Sequence, residues 1–147
     1  LPISTIDWSN VNKKTKVFSF EGRKCIGKVV DVYDGDTVKI VFPLSEKEPD
    51  RLYKWNCRLI NVDTPEIRTK NLKEKEFGKL VRNKLREKIL EKLVYINCMD
   101  FDKYGRLLVE IFEDCEYKNS INNWLINNEY AKIYHGGKKS LWFVDEE

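Results

Sequence analysis

The chain has 147 residues and a formal net charge of +3. That length fits one compact domain with one hydrophobic core. No stretch approaches the roughly 20 consecutive apolar residues of a helical membrane span. So small a net charge does not by itself mark an anionic partner, because a useful basic patch depends on clustering.

Residues 1–24 are polar and weakly patterned, and they read as a loose N-terminal extension ahead of a domain at 25–147. Within them 17–20 alternates and is a candidate edge strand, stopped at Gly22. The first residues lack the basic start and apolar core of a signal peptide. The chain also lacks an initiator Met and reads as a trimmed piece, so an earlier targeting segment is left open. Val29, Val30 and Val32 precede Asp34-Gly35-Asp36-Thr37, and Val38, Ile40, Val41 and Phe42 follow it. Branched apolar runs around Asp-Gly predict a hairpin whose glycine supplies positive φ. A charged loop bounded by Pro43 and Pro49 leads to a strand over 52–62, which must stop at Pro65.

From about Glu74 to Leu93 the period turns helical, with Phe77, Leu80, Val81, Leu85, Ile89 and Leu93 as the buried stripe. A strand at 94–98, a turn at Asp102-Lys103-Tyr104-Gly105-Arg106 and a strand at 107–112 follow. Gly105 takes the expected positive-φ position of that turn. Ser120 caps a short helix over 121–126, and residues 130–135 are extended. Glycines and an acidic tail containing Trp close the chain, so any last helix is short or absent. Short strands around one long helix predict an α+β fold built on a small barrel.

Cys25, Cys57, Cys98 and Cys115 show no Cys-x-x-Cys metal spacing. Three lie in strand-like runs, where a free cysteine acts as a small hydrophobe. They read as reduced thiols, which favours an intracellular setting, although spacing alone leaves disulfide connectivity open.

The polar residues at strand ends and turns carry the chemistry. Asp36, Asp63 and Glu66, with a backbone carbonyl beside a forced turn, suit a hard cation bound through oxygen. Arg58 and Arg106 suit a phosphate, which the guanidinium fork pairs in bidentate fashion. These are the parts of a phosphodiester hydrolase. Each stretch taken alone also reads as an ordinary turn. Simple alternation even puts Arg58 and Asp63 on opposite strand faces, so a bulge or the strand end must bring them together. An EF-hand is a poor alternative, because Val38 and Lys39 stand where its loop needs a ligand and glycine.

Three stretches together resemble the thermonuclease (staphylococcal nuclease) family. They are Val32-Tyr33-Asp34-Gly35-Asp36-Thr37-Val38, then Cys57-Arg58-Leu59-Ile60-Asn61-Val62-Asp63-Thr64-Pro65-Glu66, then Asp102-Lys103-Tyr104-Gly105-Arg106-Leu107-Leu108. The helix lies between the second and third, and the likeness covers about 28–139. It implies a five-stranded OB-fold barrel with two to three packed helices, an α+β fold that is mainly β. It implies a Ca²⁺-dependent endonuclease that cleaves DNA and RNA, single strands preferred, and leaves 3′-phosphates.

In that resemblance Asp36 and Asp63 supply calcium carboxylates, and Thr64 supplies a carbonyl ligand. Glu66 is the general base or the residue that orients the attacking water. Arg58 and Arg106 clamp the phosphate, and Lys103 and Tyr104 contact the nucleotide's phosphate or sugar. Tyr134 or His135 offers a flat face for a base. The family further suggests a monomer that does not enter membranes. The segment over 43–55 is longer than in the secreted bacterial enzymes. The alternative is a non-catalytic OB-fold module of the Tudor-scaffold type, which holds nucleic acid or protein without cutting.

Overall fold

The architecture follows from a computed structural model that describes residues 5–143. The last four residues of the acidic tail, 144–147, and the first four residues of the extension lie outside the described part. Strand β1 (Lys24–Val32) turns into β2 (Thr37–Pro43), with Val32 opposite Val38. Alternation sends Val38, Ile40 and Phe42 inward. Strand β3 (Leu52–Leu59) runs antiparallel to β2 and sets Arg58 opposite Thr37. It also runs parallel to β6 (Leu107–Phe112), with Arg58 opposite Leu108. Strand β5 (Leu93–Phe101) pairs with both β6 and β1. The order β1-β2-β3-β6-β5 is a closed barrel, which removes the free edges of a five-stranded sheet. This is the expected OB-type α+β fold.

Helix α1 (Leu72–Ile89) starts two residues before the position read from periodicity and is capped by Asn71, whose side chain accepts the Glu74 N–H. It buries Gly78, Val81, Leu85 and Ile89, and Phe77 is half-buried. Leu80 and Leu93, assigned to the same stripe, are exposed; the helix ends before Leu93, which opens β5. Helix α2 (Ile121–Asn127) is capped by Ser120 as expected, and nothing helical follows it among the described residues. No helix among the described residues is long and apolar enough to cross a membrane.

Two further expectations are revised. No strand forms at 17–20; instead Phe20 sits in the core, its ring centroid 5.0 Å from Trp55 and 5.8 Å from Phe42. Burial of one aromatic ring outweighed a weak alternating pattern with no partner strand. The strand over 52–62 stops at Leu59, and Asn61 takes a left-handed φ of +65°. Residues Val62–Asp63 then form a separate short strand, β4, paired with β7 (Lys132–Ile133). All four cysteines are free thiols, with Cys57 and Cys98 buried and Cys115 exposed.

Candidate active site

The break after Leu59 builds the site. The chain turns at Ile60 and Asn61, so β4 leaves the barrel sheet and pairs with β7 rather than extending β3. Arg58 then donates from Nη1 to the Leu59 carbonyl (2.8 Å) and from Nη2 to the Val62 carbonyl (2.9 Å). The same Nη2 stands 3.6 Å from Asp36 Oδ2, both side chains being nearly buried. Arg58 is thereby fixed against the Asp34–Thr37 turn and the strand that carries Asp63, and the opposite-face problem disappears.

That turn is organised by Asp34, whose Oδ1 accepts the N–H groups of Asp36 (3.1 Å) and Thr37 (2.9 Å). Burial, then the neighbouring charge of Asp36, push the Asp34 carboxyl up to about 7. Gly35 has a different role from the one its sequence suggests. It is absent from the positive-φ residues, but a Cβ there would lie 2.8 Å from the Thr64 side chain and from Val81 Cγ1. Close packing of the turn onto Thr64 and α1 requires the glycine. Gly105 does adopt positive φ (+80°).

Asp63 and Thr64 are buried, whereas Glu66 is half-exposed. The Glu66 N–H donates to Glu74 Oε2 (2.7 Å), which ties its loop to the first turn of α1. Burial raises the Asp63 pKa, and Asp36 adds to this, against the lowering effect of Lys139. Lys139 Nζ lies 3.4 Å from Asp63 Oδ1 and 3.4 Å from Glu66 Oε1. Burial works against its charge, but Asp36, Asp63 and Glu66 outweigh that and hold its pKa above the ordinary lysine value.

Beside these acids opens a cavity of about 540 Å³ lined by Arg58, Arg106, Lys103, Tyr104, Tyr134 and His135, with Lys139 on its rim. Arg106 donates from Nε to Asp102 Oδ2 (2.8 Å), and its guanidinium lies over the Tyr104 ring. Burial disfavours the Asp102 carboxylate, yet the N–H groups of Arg106 and Tyr104 and the Arg106 charge hold its pKa below the usual range. Tyr104 is exposed, whereas the Tyr134 hydroxyl donates to the Gly137 carbonyl and its ring faces Arg58. Every site residue expected from sequence therefore falls in one of two adjoining groups. Asp36, Asp63, Thr64 and Glu66 form an acidic wall, and the remaining six line the cavity.

The donors of the acidic wall are of the kind a hard cation takes. Asp36, Asp63 and the Thr64 carbonyl offer oxygen only, the ligand type calcium takes. Asp63 Oδ1 is buried and accepts no well-formed hydrogen bond from the described residues. Among those residues no group of three or more acid, imidazole or thiol side chains is arranged to hold a metal. A cation here would rest on two carboxylates, a carbonyl and oxygens from outside the chain.

A family model described as staphylococcal nuclease homologue matches residues 56–142, more than half of the chain. The chain belongs to the staphylococcal nuclease family. As a member it is a nuclease-type or OB-fold nucleic-acid-binding domain. It is 32% identical over 90 residues to Protein ParB of Escherichia coli, which covers 61% of this chain and 43% of ParB. It is 31% identical over 129 residues to the uncharacterized protein MJ1439 of Methanocaldococcus jannaschii, covering 74% of this chain and 58% of that one. The chain spans about half the length of these curated relatives.

Sequence reasoning about this nuclease-family site missed Lys139, Gly78 and Asn122. Nothing in the sequence flags Lys139, which lies 73 positions from Glu66. Gly78 had a signal, a glycine inside a helix. Its missing side chain admits the carbonyls of Pro65 and Glu66, which an added Cβ would meet at 2.8 and 3.0 Å. Gly78→Ala gains about 1 kcal/mol of helix propensity but forces backbone apart, which costs typically 1–3 kcal/mol. We expect a net loss of about 1 kcal/mol in urea unfolding, together with weaker cleavage because Glu66 is displaced. A more stable variant of unchanged activity would show that the contact yields freely.

Proposed function

We propose that the chain is a calcium-dependent nuclease that hydrolyses phosphodiester bonds of DNA and RNA, prefers single strands, and acts as a monomer through residues 25–147. One observation carries this reading: Arg58 and Arg106 line one cavity, and Arg58 also faces Asp36 in the acidic wall. A phosphate between two guanidiniums, with carboxylates on its flank, is set for attack at phosphorus.

Arg58 and Arg106 pair with the phosphoryl oxygens and stabilise the charge that accumulates there. Arg58 is held by two carbonyls and Arg106 by Asp102, so neither has to be ordered during the reaction. Glu66 takes a proton from the attacking water. An O–P bond forms, the bond from phosphorus to the 5′-oxygen breaks, and that oxygen takes up a proton from solvent. The products are a 3′-phosphate and a 5′-hydroxyl. Asp36, Asp63 and the Thr64 carbonyl would hold calcium, which when bound supplies positive charge beside the phosphoryl group. Lys103 and Tyr104 contact the nucleotide's phosphate or sugar, and the flat face of Tyr134 or His135 takes an unpaired base, which favours single strands.

The test is degradation of plasmid DNA, single-stranded DNA and RNA with millimolar calcium and with chelator. Calcium-dependent fragments ending in 3′-phosphate are expected. Intact substrates in every condition would overturn the enzyme reading, and retained binding of them would identify the non-catalytic OB-fold module.

A further inference from the structure

Each carboxylate of the acidic wall already has a cation from the chain itself. Asp36 faces Arg58 at 3.6 Å, and Asp63 and Glu66 each face Lys139 at 3.4 Å. Arg58 is locked by two carbonyl bonds and belongs to the phosphate cavity. Lys139 differs. Its ammonium donates to no backbone carbonyl among the described residues and lies 5.7 Å from the Tyr134 ring centroid, its side chain is 39% exposed, and it sits on a strap that follows β7. The strap starts at Gly136 and Gly137, both at positive φ with open space around them. Its ends are tied: the Tyr134 hydroxyl bonds the Gly137 carbonyl at 2.6 Å, and Lys132 Nζ bonds the Leu141 carbonyl at 2.7 Å. Trp142 then packs edge-on against Phe77 of α1, 5.6 Å between centroids. The backbone thus stays docked while a flexible four-carbon stem carries the charge into the acids.

We propose that Lys139 is a tethered ammonium that occupies the carboxylates of Asp63 and Glu66 and competes with a divalent cation for them. The inference rests on the calcium reading above. Two considerations carry it. Asp63 Oδ1 is the buried acceptor without a well-formed hydrogen bond, and the ammonium stands against it, so a metal at that oxygen needs the same space. The three acids face two chain cations. A divalent ion added beside Lys139 overcompensates them, whereas one that displaces it leaves the cluster neutral. Lys139 therefore sets the affinity of the site for its cation and, on leaving, is free to meet a substrate phosphate at the cavity rim.

Competition lowers an apparent affinity by the fraction of time the site is open, so a strap lysine docked nine-tenths of the time costs about tenfold. The test is calorimetric titration of the full chain with calcium chloride, with no nucleic acid present. It compares wild type, Lys139→Met, and Lys138→Met as a control for lost charge on the same strap. Lys139→Met is expected to bind calcium about tenfold tighter than wild type, with Lys138→Met within about twofold of wild type. Equal or weaker binding by Lys139→Met, or equal gains in both variants, would overturn the proposal. Absence of calcium uptake by all three proteins would overturn it together with the calcium reading. Uptake by all at one affinity would overturn it alone.

Discussion

On the proposed nuclease reading, exchange of Arg106 for alanine is expected to lower kcat on single-stranded DNA by about 10²-fold or more, while nucleotide affinity falls much less. The magnitude is that of losing one preorganised donor aimed at developing charge. The guanidinium lines the cavity and is oriented by Asp102. Its removal leaves the turn intact, because Asp102 Oδ1 still accepts the N–H groups of Tyr104 and residue 106, both at 2.9 Å. Melting temperature should therefore move little. Arg106→Lys should recover only a small part of the rate, since an ammonium cannot bond Asp102 and phosphate with the same planar fork. Single-turnover rates beside equilibrium binding of a short oligonucleotide decide the matter. Equal loss of rate and affinity would assign Arg106 to substrate binding alone.

The second large effect is structural. Asn122→Ala is expected to cost about 3 kcal/mol in urea unfolding, the sum expected when several buried backbone groups lose their partner. Asn122 is buried, donates to the carbonyls of Ile60 (3.0 Å) and Val109 (3.1 Å), and accepts the Ile111 N–H (3.1 Å). It thus ties α2 to β6 and to the turn at Ile60 that sets the strand carrying Asp63 against Arg58. Asn122→Leu restores volume but not bonds, so it should remain strongly destabilised. Asn122→Asp keeps the acceptor and loses both donors. Cleavage should fall in the variants even well below their unfolding midpoints, because the Ile60 turn is released. A loss under about 1 kcal/mol for Asn122→Ala would mean that water replaces the side chain at little cost.

These two residues illustrate how differently the site could be read. Arg106 was legible because Asp-Lys-Tyr-Gly-Arg packs a carboxylate, a left-handed glycine and a guanidinium into one turn, and turn chemistry is local. Asn122 was not, because an asparagine in a short helix resembles any polar helix residue until its neighbours are known. The same divide separates the elements. Branched apolar runs around Asp34-Gly35 and the three-to-four spacing of Val81, Leu85 and Ile89 announced a hairpin and a helix. The break after Leu59 stayed hidden, since Ile60, Asn61 and Val62 suit a continuing strand as well as a turn.

By itself the sequence determined the barrel strands, the long helix, the turns that carry Asp36 and Arg106, and a list of acids and cations fit for a phosphodiester. Those features depend on periodicity and on residues a few positions apart, which the linear chain carries. Only the tertiary structure decided that Gly35 is needed for contact with Thr64 and Val81 rather than for its φ. It alone decided that Phe20 joins the core, that Arg58 bridges Asp36 to the Val62 carbonyl, and that Lys139 reaches Asp63 and Glu66. The physical reason is shared. Each of these depends on a distance between segments far apart in the chain, and such distances exist only once the barrel has closed and α1 has packed against it.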